Sequence, residues 1–111
     1  MRPEIKKYLS DIVQSTKSIE EYLEGKRNFD YYCNNKMLRR AVERELEIIG
    51  EAVNSILKID RNIPIKNAGK IVALRNHVIH GYDSVDDAII WGVVTKYIPR
   101  LQEEAEILLN E

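Results

Sequence analysis

The sequence predicts an all-α protein, an up-down bundle of four to five helices. Three observations carry this. Apolar residues recur at steps of three and four along long segments. Only 5 glycines and 3 prolines interrupt 111 residues. No stretch sustains apolar–polar alternation, and no Asn-Gly or Asp-Gly pair joins two apolar runs, so no β-hairpin competes.

The first helix is read from "PEIKKYLSDIVQSTKSIEEYLEGK". Its stripe is Ile5, Tyr8, Leu9, Ile12, Val13, Ile19, Tyr22 and Leu23. Pro3 suits a first helical turn and Gly25 is placed to end the helix. "RNFDYYCNN" reads as a connector, because Asn and Asp form turns, with Phe29, Tyr31 and Tyr32 packing down onto the core. The second helix runs through "KMLRRAVERELEIIGEAVNSILKI", with Leu38, Ala41, Val42, Leu46, Ile49, Ala52, Val53, Ile56 and Leu57 as its apolar stripe. Gly50 lies in mid-helix, where it costs about 1 kcal/mol relative to Ala. Close approach by another helix is a physical reason to accept that cost. "DRNIP" breaks the chain, and a third helix follows Pro64 through "NAGKIVALRNHVIHG", with Gly81 as its stop. Ser84 has the chemistry of an N-cap for a fourth helix, with Asp86 and Asp87 in its first turn. Ile89, Ile90, Val93, Val94, Tyr97 and Ile98 form its inner stripe, and Pro99 kinks or breaks it before "RLQEEAEILLN" continues. There are no repeats and no linker, so residues 1–111 read as one domain.

Composition narrows the function. Hydrophobic residues at 44% argue against disorder, and charged residues at 32% fit amphipathic helices with solvated outer faces. Cys33 is the single cysteine, so the fold needs no disulfide. No apolar run approaches the ~20 residues that cross a membrane, and the N-terminus lacks the apolar core of a signal peptide. A cytoplasmic location is the expectation. The net charge of −1 predicts no general affinity for nucleic acid, but the distribution is uneven. Residues 26–80 carry eleven Lys/Arg against six Asp/Glu, and residues 81–111 carry two against seven. A basic middle can hold a phosphodiester backbone, and it can equally be a set of solvated helix faces.

The chemistry concentrates in "LRNHVIHGYD", residues 74–83, which holds both histidines of the chain. Arg75 and His80 are five apart, which on an unbroken helix sets them ~140° apart. A helix end unwound at Gly81 lets His80 and Tyr82 swing toward Arg75, so the motif makes most sense at a helix terminus beside a cleft. A guanidinium forks onto phosphate oxygens. An imidazole titrates near neutrality and can take a proton from a 2′-hydroxyl or give one to a leaving oxygen. These are the parts of a metal-free ribonuclease. One His supplies only one of the two proton-transfer groups that a full cycle wants, and a symmetric dimer would bring a second. Tyr82 can hydrogen-bond phosphate or stack on a base. Asn76 is a second polar group on the cleft or an exposed residue. His77, two after Arg75, falls on another face. The even spacing of His77, His80 and Asp83 lacks a second ligand cluster, so no metal is assigned. Cys33 has no base near it in sequence, and Trp91 reads as core or dimer interface. No glycine-rich phosphate loop occurs.

The pattern R-x-x-x-x-H-x-Y formed by Arg75, His80 and Tyr82 resembles that of HEPN domains of the HepT-like toxin family. "RELEIIGEA" (44–52), "IP" (63–64), "LRNHVIHGYDSVD" (74–86) and "IIWGVVTKYIPRL" (89–101) follow in that family's order, and the resemblance covers residues 5 to 109. Two departures are Ile65, where members often carry Trp, and a short connector after the first helix. The resemblance implies a HEPN bundle of four or five helices that dimerises with two motifs facing one cleft. It implies a metal-independent endoribonuclease without cofactor, with Arg75 and His80 catalytic and Asn76 supporting. Its substrate would be RNA rather than DNA, since the 2′-hydroxyl is the nucleophile. It also implies a cognate minimal nucleotidyltransferase as antitoxin, which transfers AMP to Tyr82. Two other readings fit the residues: a non-catalytic module that binds nucleotide or the nucleotidyltransferase, and a helical scaffold without chemistry.

Overall fold

The computed structural model describes residues 1–80 and 87–111, and of residues 76–80 the backbone alone. Six helices follow in order among them: α1 (Pro3–Leu23), α2 (Phe29–Cys33), α3 (Lys36–Ile59), α4 (Ala68–His80), α5 (Asp87–Lys96) and α6 (Ile98–Leu109). No strand occurs among the described residues, in line with the all-α expectation.

The scaffold is α1, α3 and α6. The apolar stripes predicted for the first two meet there: Leu9, Ile12 and Ile19 of α1, and Val42, Ile49, Val53 and Ile56 of α3, have no accessible surface. Leu101 and Ala105 of α6 complete this core. α4 returns along α3 after the short 60–67 connection, so the two helices form an antiparallel hairpin. α2 and α5 pack on one another and close the end of the bundle where α3 begins.

Helix ends follow local chemistry. Pro3 opens α1 with its fixed φ. The helix stops at Leu23, where Glu24 turns left-handed (φ 51°) and Gly25 continues so (φ 74°). The carbonyls of Glu20 and Glu21 both accept from the Glu24 amide. At the other end of the chain, the interruption expected at Pro99 falls at Tyr97, which separates α5 from α6.

Several expectations need correction, beginning with Tyr22, which is expected on the first apolar stripe and is exposed. The connector 27–35 contains a helix of its own. Asn28 and Asn35, read as turn formers, are N-caps: Asn28 Oδ1 accepts from the Tyr31 amide and Asn35 Oδ1 from the Leu38 amide. Of its three aromatics only Tyr32 is buried, while Phe29 and Tyr31 stay exposed. α4 begins at Ala68 rather than just after Pro64, because Ile63 and Ile65 on either side of the proline are both buried and hold that stretch down in a non-helical path. Ile89, expected on the inner stripe, is 50% exposed. α5 is apolar on most sides, so periodicity could not choose its inner face. The predicted stop at Gly81, the cap at Ser84 and the first-turn Asp86 lie outside the described residues.

Candidate active site

The site is built where α4 crosses α3. Gly50 is buried in α3, and a Cβ built on it would lie 2.1 Å from Arg75 Cβ and 2.7 Å from Arg75 Cγ. No side chain fits in that gap. The mid-helix glycine is therefore a notch that seats the arginine stem, which is the close approach its cost in helix propensity suggested. Leu74 and Ile71 are buried alongside and fix the rotation of α4. The stem is thus held while one quarter of the Arg75 side chain still meets solvent. Its Nη2 lies 3.6 Å from Glu51 Oε1, and the Glu51 side chain is 57% exposed. An arginine placed this way offers a rooted, permanently charged fork at the rim of the bundle.

Beyond Arg75 the backbone of α4 stays helical through His80. At ~1.5 Å per residue this carries the chain ~7.5 Å further, toward the end where α3 begins. Asn76, His77 and His80 lie on this turn and a half of helix, and their side chains fall outside the described set. Tyr82 and Asp83 lie outside the described residues altogether. Of the predicted site residues, Arg75 is the one whose side chain is placed.

That end of the bundle is polar and aromatic. Arg39 of α3 reaches Asp87 in the first turn of α5 (Nε to Oδ2, 3.9 Å) and donates to the Cys33 carbonyl. Arg40 and Arg44 stand exposed on the same part of α3, and Arg44 pairs with Glu47 at 3.1 Å. Glu43 is half-buried, two helical turns before Gly50. Burial pushes its carboxyl above the ordinary range against the pull of Arg40 and Arg39, and Asp87 adds to the rise. Tyr32 has no accessible surface, and burial pushes its phenol upward. Its hydroxyl has no hydrogen-bond partner among the described residues. The ring stacks obliquely on Trp91 at 5.2 Å, and Phe29 meets Trp91 from another side at 6.2 Å. Trp91 is thus the hub that ties α2 to α5. The Cys33 thiol is also pushed up, by partial burial and by the Asp87 and Asp30 carboxylates, which disfavours a thiolate nucleophile.

On its other side α4 borders a shallow apolar groove of about 290 Å³, lined by Lys70, Ala73 and Leu74 of α4 and by Ile89, Val93 and Tyr97. The Lys70 ammonium sits 5.6 Å from the centre of the Tyr97 ring. No group of three or more metal-ligating side chains occurs among the described residues.

The ribonuclease HepT-like family model matches residues 12–108, which includes the α3–α4 crossing. The chain belongs to the HepT-like ribonuclease family. Three relatives bear this out. A Methanocaldococcus jannaschii protein, named provisionally as an RNase, is 38% identical over 111 residues, covering 95% of this chain and 96% of its own. A Caldanaerobacter subterraneus protein, also named provisionally as an RNase, is 35% identical over 105 residues, covering 94% and 93%. A Thermococcus cleftensis protein named a probable ribonuclease HepT is 34% identical over 112 residues, covering 97% and 98%. No solved structure matches the chain. Arg75, Gly50 and Glu51 all lie inside the matched span. Among the described residues no helix is long and apolar enough to cross a membrane.

Sequence reasoning singled out Arg75 and gave a reason for Gly50, but it did not join them. It missed Glu51 as an ion-pair partner of Arg75. The available signal was a carboxylate adjoining the one glycine within a long apolar-striped helix.

Proposed function

We propose that residues 1–111 form one HEPN domain that acts as the toxin of a toxin–antitoxin pair, a metal-independent endoribonuclease working as a cytoplasmic homodimer. The observation that supports this most is the seating of Arg75: a glycine notch roots its stem and leaves its charged head at the rim, within a HepT-like ribonuclease chain. Arg75 binds the scissile phosphate and offsets the charge that builds on it. His80 takes the proton of the 2′-hydroxyl or returns one to the leaving 5′-oxygen, and the second copy supplies the complementary step. The 2′-oxygen attacks phosphorus, the bond to the 5′-oxygen breaks, and a 2′,3′-cyclic phosphate remains. Asn76 supports the phosphate. DNA lacks the nucleophile and is not a substrate. The apolar groove beside α4, with Ile89 exposed at its edge, gives the second copy a surface to bury.

The antitoxin is a minimal nucleotidyltransferase that transfers AMP to Tyr82. The added base is bulky and its phosphate negative, so it fills the cleft and competes with RNA for the Arg75 guanidinium.

Induced expression of wild type and His80→Ala, with total RNA run on a gel, tests the reading. Growth arrest and RNA fragmentation by wild type alone are expected. Equal and harmless expression of both, with intact RNA and an unmodified mass of 12.9 kDa, would leave the non-catalytic binding module in its place.

A further inference from the structure

We propose that Glu51 is a positioning residue for Arg75, holding one edge of the guanidinium so that the rest of the fork meets phosphate in one orientation. The proposal rests on the ribonuclease reading above and goes beyond it, since neither the motif nor its spacing assigns Glu51 a part.

The argument begins with what the notch does and does not fix. Gly50 fixes the first carbons of the Arg75 side chain, because Cβ and Cγ sit where a Gly50 side chain would be. The side chain is covered as far as Nε, which has almost no accessible surface, so the direction of the terminal fork is what a contact at its tip acts on. The Glu51 carboxylate, one residue on from the notch, contacts Nη2 at 3.6 Å. Root and tip are therefore held by adjacent residues of one rigid helix. A guanidinium carries five N–H donors in a plane, and a carboxylate charge facing one terminal nitrogen draws that edge of the plane toward it.

Exposure decides what kind of contact this is. The Glu51 side chain is 57% exposed and that of Arg75 25%. A pair this wet adds little to folding stability. It can also yield or share when a phosphate arrives, which a buried pair could not do without a large desolvation penalty. The same carboxylate repels RNA, so its presence lowers affinity while it raises order. That combination gives the proposal its signature. Removing the charge costs turnover and does not cost binding.

The test uses the full-length chain with Glu51→Gln and Glu51→Ala, and a fluorescent single-stranded RNA cleaved in EDTA. The expected result is a fall in kcat of about 3- to 10-fold, larger for Ala than for Gln, because Gln keeps the length of the side chain and a carbonyl dipole to face Nη2. KM should stay the same or drop, and the melting temperature should match wild type. A parallel measurement does not depend on cleavage: the 15N relaxation of the Arg75 Nε–H, assigned by its loss in Arg75→Lys. Its order parameter should fall in both Glu51 variants. An order parameter equal to wild type overturns the positioning role whether or not RNA is cut. Wild-type cleavage with unchanged kcat in both variants overturns it as well, and leaves the ribonuclease reading intact. Absent wild-type cleavage with a lowered order parameter in the variants would keep the positioning role and remove the ribonuclease reading.

Discussion

The α1–α3–α6 scaffold and the α3–α4 crossing are held by opposite means. In the scaffold, Leu9, Ile12 and Ile19 meet Ile49, Val53 and Leu101 with almost no accessible surface, and shape and apolar area do the holding. At the crossing a side chain has been removed rather than fitted. Gly50 makes room for a charged residue whose stem is packed and of whose side chain one quarter meets water. The scaffold is organised to exclude water, while the crossing delivers one cation to it. The lesson is that a site can be built into a bundle by leaving a gap in one helix at the level where the neighbour carries its functional side chain.

The comparison can be broken or sharpened by mutation. Leu9→Ala removes side-chain volume from the driest part of the scaffold and should cost about 3 kcal/mol in denaturant unfolding. Cleavage per folded molecule should stay as in wild type. Equal loss of both would mean that scaffold and site are not separable. Gly50→Ala comes next. In an ordinary helix interior this change stabilises by about 1 kcal/mol. Here the new Cβ meets the Arg75 stem, so it should destabilise by about 1–3 kcal/mol and lower RNA cleavage as well. Gly92→Ala is the control, since no atom of the described residues lies within 4 Å of its added Cβ on α5. It should stabilise by up to about 1 kcal/mol with activity unchanged. Opposite signs at the two glycines, read in the same urea titration, are what the notch requires.

The smallest expected effect lies at Glu43. Its carboxyl is raised by burial, so the folded state holds the proton better than the unfolded chain does. That contribution is full below the ordinary glutamate range and is lost as pH rises through the folded value. Glu43→Gln should therefore melt higher than wild type at pH 7, and the two should converge near about pH 4. A gap that instead widens toward acid would show that Glu43 is held by its arginines and not strained by burial.

Much of the scaffold was legible because a helix with one dry face writes its period into the sequence. Ile5, Leu9, Ile12 and Ile19 are such a stripe, and so are Val42, Ile49, Val53 and Ile56. α2 was not legible, since an asparagine side chain makes the same kind of bond in a turn as at an N-cap, and Asn28 and Asn35 do the latter. The orientation of α5 was hidden by an excess of apolar residues, so Ile89 was placed inward when it faces out. At the site, Arg75 could be chosen by its chemistry and Gly50 by its helix cost. Their meeting is a tertiary fact, set by where α4 turns back on α3. Glu51 was hidden for the same reason, because a lone acidic residue on a charged helix carries no sign of its partner.

The most direct measurement is cleavage of a labelled RNA and its all-deoxy counterpart by purified wild type, Arg75→Ala and His80→Ala in EDTA, with the product ends identified by mass. The account predicts that wild type cuts only the RNA and leaves a 2′,3′-cyclic phosphate or its hydrolysis product. It predicts a loss of roughly 100-fold or more per folded molecule in either variant. Cutting of the deoxy strand, or cleavage by both variants at the wild-type rate, would contradict it.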